Sequence, residues 1–174
     1  MADLVAGKRD RMVWASLYQM VKDCLELLGW FDDPTANSLD RKPVAMPWEG
    51  WPDGEKIPVN AIVVMPEDTD FDALEIGSNA EERRRIFIID IYAESHAIGV
   101  HLRGDISAIL RGQLAAVARD RNVLDVYDYD MATPAVVATM DIENVREDRA
   151  QGGQEPWERY WYSIMFVVLD EGWD

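Results

Sequence analysis

The sequence predicts an α+β fold: a mixed or antiparallel sheet of about five strands, with an N-terminal helix and a central helix packed on it. Two segments carry apolar residues at helical spacing, and several others alternate or run in β-branched and aromatic residues. The strand-like runs follow one another with only two helices between them, which argues against the regular alternation of a doubly wound sheet. At 174 residues the chain fits a single domain, and 48% hydrophobic content with seven tryptophans supplies a core.

The first helix is expected over residues 10–28, where Val13, Leu17, Met20, Val21, Cys24 and Leu28 form a stripe that Trp14, Tyr18 and Leu25 widen. Gly29 stands where a helix ends, because glycine takes the left-handed conformation without steric cost. Lys8, Arg9 and Arg11 would then sit at the positive end of the helix dipole, which does not favour them. They read as a solvated basic end, although the mismatch hints at a partner.

Residues 31–58 are irregular and proline-rich, without sustained periodicity, and read as an arm of the same domain. Trp48 and Trp51 in that arm either fold back on the body or anchor a subunit contact. A short strand is expected over 59–65, followed by an acidic loop over 66–80. That loop lacks the register of a calcium-binding loop and is read as solvated.

The block EERRRIFIIDIYAESHAIGVHLRGDISAILRG (81–112) is the most informative part of the chain. Its 86–92 segment is an interior strand, apolar on both faces apart from Asp90. Ser95 is a candidate N-cap, and Ile98, Leu102, Ile106, Ile109 and Leu110 form the stripe of the helix after it. Residues 113–122 add a possible further turn of helix. Strands are then expected over 123–129, around Met140 with Val136, Ala138 and Ile142 on one face, and over 157–169. Gly152 and Gly153 mark a hairpin tip between the last two.

The motif IDIYAES between strand and helix, the Leu-Arg-Gly turn closing that helix, and three further stretches carry a resemblance. Those stretches are LVAGKRDRMVWASLYQMVKDCLELLGWFD, VYDYDMATPAVVATMDIENV and PWERYWYSIMFVVLDEGW. In this order they resemble the tail terminator (head-tail joining, or minor tail) proteins of long-tailed phages, in the version associated with actinobacterial phages. The resemblance covers over half of the chain and is one of pattern, with no chemical constellation in it. It implies a structural virion protein located at the tail neck and assembled in the host cytoplasm. Such a protomer forms a ring, taken to be a hexamer, that caps the tail tube and stops its polymerisation. Its implied partners are copies of itself, the tail tube protein and the head-tail connector or stopper. DNA would pass through the lumen without specific binding. The neighbouring connector or stopper is the alternative within this class. A small α+β enzyme or ligand-binding protein is the alternative outside it.

The residues themselves point away from catalysis, and no cofactor is expected. His96 and His101 lie five apart, about 140° around a helix, and do not share a face as metal ligands. Neither a nucleophile elbow nor a phosphate-binding loop occurs. Asp125, Asp128 and Asp130 invite weighing as a paired-carboxylate site, since Asp128 and Asp130 would share a strand face, but Tyr127 and Tyr129 alternate with those two, as on a half-solvated edge strand. Cys24, the only cysteine, lies in the apolar stripe and reads as a buried structural thiol. No apolar run reaches the ~18 residues of a membrane span. The formal charge is −16, from 17 basic and 33 acidic residues, which disfavours DNA binding and suits either solubility or a non-adhesive passage for DNA. Arg83, Arg84 and Arg85 concentrate positive charge. They are candidates for pairing with carboxylates of a neighbouring subunit, or else the exposed end of a strand. With Trp48, Trp51, Gly152 and Gly153 they form the expected interface set.

Overall fold

The computed structural model of the chain describes residues 2–30, 44–45, 60–73, 81–93, 95–119, 121–149 and 160–170. In chain order the elements are α1 (Ala2–Leu27), β1 (Val44–Ala45), β2 (Ala61–Ala73), β3 (Glu81–Tyr92), α2 (His96–Leu110), β4 (Val123–Asp128), β5 (Ala135–Arg149) and β6 (Trp161–Asp170). A 3₁₀ turn, Ala115–Val117, links α2 to β4. The sheet order is β1-β2-β3-β6-β5-β4, antiparallel throughout except for the short parallel pairing of β1 with β2. The fold is therefore α+β, with an N-terminal and a central helix on a mainly antiparallel sheet.

Period-two alternation sorts the sheet. Phe87, Ile89 and Ile91 of β3 and Tyr162, Ile164, Phe166 and Val168 of β6 are buried in one core with Leu124, Val126, Met140 and Ile142. Leu17, Val21 and Leu25 of α1 and Leu102, Ile106 and Ile109 of α2 close that core from the helical side. β6 runs in the middle of the sheet although it comes last in the chain, and this explains its strongly apolar inner face.

Both helices end in the same device. Gly29 (φ 80°) lets Trp30 N–H donate to Leu25 and Gly29 N–H to Glu26, and Gly112 (φ 63°) does the same with Gln113 to Ala108 and Gly112 to Ile109. At the other end of α2, Ser95 Oγ accepts from Ile98 N–H at 3.3 Å. Gly99 is required by packing: a Cβ there would lie 2.2 Å from the Tyr162 ring.

Three expectations are corrected. Helix α1 begins at Ala2, about two turns before the expected start, so Lys8, Arg9 and Arg11 lie past its first turn and away from the dipole's positive end. The partners they hint at belong to the same chain: Lys8 Nζ pairs with Asp128 at 3.0 Å, Arg11 with Asp130 at 3.0 Å, and Arg9 with Asp170. Second, β2 continues past Met65 to Ala73, so half of the supposed acidic loop is strand, in register with Glu81–Ile86 of β3. The register shifts between Pro66, which pairs with Phe87, and Asp68, which pairs with Ile86, so that Glu67 is the bulged residue. Third, Val136 does not share the buried face of Met140 and Ile142. A register shift between Val126 and Tyr127 pairs Tyr127 with Val136, and Val136 and Val137 are both exposed.

Candidate interaction surface

Two sites on α1 use charge in opposite ways. The first is a buried ion-pair node. Arg85 of β3, 3% exposed, donates from Nη1 to Asp170 Oδ2 at 2.7 Å and from Nε to Asp10 Oδ1 at 2.9 Å. Asp170, the last residue of β6 and 2% exposed, also accepts from Arg9. The node ties α1, β3 and β6 together. Arg85 is therefore spent inside the chain and is corrected as an interface candidate. Its parity carried the signal: it is in step with Phe87, Ile89 and Ile91 along β3. Arg84, out of step, is exposed, and Arg83 pairs in register with Phe71 and Asp170. Trp48, Trp51, Gly152 and Gly153 lie outside the described residues.

The second site lies where the C-terminal half of α1 faces β4 and the turn after it. An open groove of about 400 Å³ is lined there by Met20, Cys24 and Val117 on its apolar side and by Tyr127 and Tyr129 as an aromatic wall. The two tyrosine rings are 6.0 Å apart and inclined by 39°. Ser16 Oγ accepts from Tyr127 N–H at 2.9 Å and locks the wall to the helix. Partial burial pushes the Tyr129 hydroxyl above the usual tyrosine pKa, and burial likewise raises the Cys24 thiol, so neither ionises readily near neutrality. Cys24 is buried and acts as a structural thiol.

Two carboxylates line the same groove. Asp23 accepts from Gln19 Nε2 at 2.6 Å, and Asp125 accepts from Thr139 Oγ1 at 2.8 Å. Neither forms an ion pair with a described residue, whereas Asp10, Asp128, Asp130, Asp170 and Glu147 all hold a lysine or arginine. Asp128 and Asp130, weighed with Asp125 as a carboxylate site, are thus committed to Lys8 and Arg11. The hydrogen bond from Lys8 pulls the Asp128 carboxyl below the ordinary aspartate range and raises the Lys8 ammonium.

Beyond the groove the β4–β5 hairpin projects with Tyr129, Met131, Val136 and Val137 exposed, and Leu27, 71% exposed, lies on the groove's helical lip. β4 is also the terminal strand of the sheet order, and its Tyr127 N–H is taken by Ser16 of α1 in place of a further strand. Sequence reasoning missed this surface because its parts are single residues on α1 and β4, about a hundred positions apart, with no motif between them. The available signal was the run of apolar residues across a turn, Tyr129 to Val137, which a solvated hairpin does not need.

The histidines serve the frame. His96 Nδ1 lies 2.5 Å from the Tyr162 hydroxyl, and His101 packs edge-on against Trp30, whose indole N–H donates to Asp105 at 2.8 Å. Among the described residues no group of three or more histidine, cysteine, aspartate or glutamate side chains is placed to hold a metal ion, and no helix is long and apolar enough to cross a membrane. Neither a family model nor a curated protein matches this chain.

Proposed function

We propose that this chain is a structural virion protein, a phage tail terminator that forms a ring, caps the tail tube, stops its polymerisation and joins the tail to the head. The observation that carries the reading is the apolar β4–β5 hairpin beside the terminal edge of β4. A protein that works by adhesion needs apolar surface outside its core, and this hairpin exposes such surface on a frame with a well-filled interior. The pattern resemblance described above supplies the particular assembly. Its ring is taken as a hexamer, with the tube protein on one face and the connector or stopper on the other.

The charge balance supports the same reading. Exposed Asp141 and Glu143 follow each other on one face of β5, in register with Leu169 and Val167 of β6. A lumen lined by such a column would repel phosphates and let DNA pass without sticking. The groove beside α1 is the feature that favours the alternative of a ligand-binding protein.

Electron microscopy of particles from the encoding phage with an amber mutation in this gene is the test. Overlong tails that fail to join heads are the expected result. Tails of normal length that still fail to join would move the assignment to the connector, and intact infectious particles would overturn the assembly reading.

A further inference from the structure

We propose that the β4–β5 hairpin of one copy of this chain lies on the outer sheet face of the next copy, over Met165 of β6. The inference deepens the assembly reading by naming the two surfaces that join neighbours, and it rests on that reading for closure of the contacts into a ring.

The receiving face is the side of the sheet opposite α1 and α2. Side chains alternate along a strand, so Ile86 and Ile88 of β3 and Met165, Val167 and Leu169 of β6 point away from the core that both helices close. Ile86 is in register with Val167 and Ile88 with Met165, which makes the patch contiguous. An antiparallel sheet with one face in water ordinarily places polar residues there. This one places apolar side chains on two adjacent interior strands, and Met165, 42% exposed, is the most open of them. Asp141 and Glu143 of β5 border the patch and remain beside the seated hairpin, open to the lumen.

The inserted element is the hairpin. Residues 129–137 are all exposed, and Tyr129, Met131, Val136 and Val137 are the large side chains among them. The acids at its root are matched within the chain, since Lys8 and Arg11 hold Asp128 and Asp130. The hairpin therefore meets a neighbour as a locally neutral, apolar element. The formal −16 of each copy is screened within about 8 Å at physiological salt, so the local surface decides the contact.

Complementary charges flank the two surfaces. Arg146, in register with Met165, is exposed and forms no ion pair among the described residues. Asp125, on β4 before the hairpin, accepts from Thr139 and holds no cation among them. The receiving face thus offers an unmatched guanidinium and the inserted element an unmatched carboxylate.

Two unlike surfaces on one chain make a heterologous contact. Each copy gives its hairpin to one neighbour and its sheet face to another, and repetition closes a ring. A symmetric pairing of hairpin with hairpin would leave the apolar sheet face in water. The head-to-tail contact covers both surfaces with a single kind of occupant.

The test is sedimentation velocity on the full-length protein and two variants, Val136→Lys on the hairpin and Met165→Lys on the sheet face. Both positions are exposed, so thermal melts should match the parent's and verify the fold. Lysine lowers the net negative charge, so general repulsion between copies cannot account for a loss of association. The parent is expected to form species larger than a dimer, and each variant alone to associate about tenfold more weakly or worse. An equimolar mixture of the two variants should recover association only as far as a dimer, because one intact hairpin and one intact face remain between them. A parent that stays monomeric, a variant that associates like the parent, or a mixture without dimers would overturn the contact. Each of those outcomes leaves the terminator reading to the amber mutant. Head-to-tail association together with intact infectious particles from the amber mutant would keep the contact and overturn the terminator reading.

Discussion

The two halves of α1 spend charge differently. Near its start, Arg9 and Asp10 join Arg85 and Asp170 in a node whose central pair is almost wholly buried. Near its end, Asp23 and Asp125 line one open groove, and neither pairs with a cation among the described residues. A buried pair fixes geometry: its desolvation is tolerable only with both partners in place, so the node makes α1, β3 and β6 mutually dependent. The groove carboxylates keep their water and contribute little to folding, which leaves them available for contact with another molecule. Charge that holds the frame is buried and matched, and charge offered outward is exposed and unmatched.

That contrast can be broken at the node first. Asp170→Asn leaves Arg85 buried against a neutral amide and weakens its pairing with Arg9 as well. It should destabilise the protein by about 3–5 kcal/mol in chemical denaturation, and a loss below about 1 kcal/mol would remove the node from its structural role.

A smaller effect is expected beside the groove. Ala118, at the end of the 3₁₀ turn, has φ 57°, a conformation that costs a non-glycine residue about 1–2 kcal/mol. Ala118→Gly relieves it and returns part of the gain as chain entropy, so stability should rise by about 0.5–1 kcal/mol. A fall in the melting temperature would refute this account.

The exposed pair of Lys8 and Asp128 lies between the two extremes and is best read through pH. The folded-state pKa of Asp128 is depressed, so its contribution is present above the unfolded pKa and is lost as pH falls through the folded one. Lys8 is raised, so the same pair also fades as pH climbs through the folded lysine pKa. Asp128→Asn should therefore be less stable than the parent at neutral pH and converge with it in acid. A gap that persists to the acid limit would show that the loss is not electrostatic.

The smallest change is expected at the groove itself. Asp23→Asn/Asp125→Asn should alter unfolding free energy by no more than about 0.5 kcal/mol, the range of surface substitutions away from special features. A larger loss would mean that these carboxylates hold the frame, and the contrast between the two halves of α1 would collapse.

Much of the frame was legible because its signals are local. The Ser95 cap, the α2 stripe, the alternation of β6 and the terminal glycine at Gly29 each depend on neighbours within a few residues. The start of α1 was not, since nothing apolar and periodic marks its first turns. The strand character of 66–73 was hidden as well, because an acidic composition reads as loop until β3 supplies its ladder. The interface candidates fared unevenly for a related reason. Three consecutive arginines look alike in a sequence, but a strand turns neighbours to opposite faces, and the inner position was filled by Arg85.

The sequence by itself determined the kind of chain this is: α+β, strongly acidic, with two amphipathic helices capped by local chemistry. Periodicity and capping are short-range, so they survive without the fold. Tertiary structure alone decided which charges meet. Lys8 finds Asp128, Arg85 finds Asp10 and Asp170, and Asp23 comes to share a groove with Asp125 only when β6 has entered the middle of the sheet and α1 lies across it. Coulomb attraction and desolvation depend on distance in space, and separation along the chain carries no record of that distance.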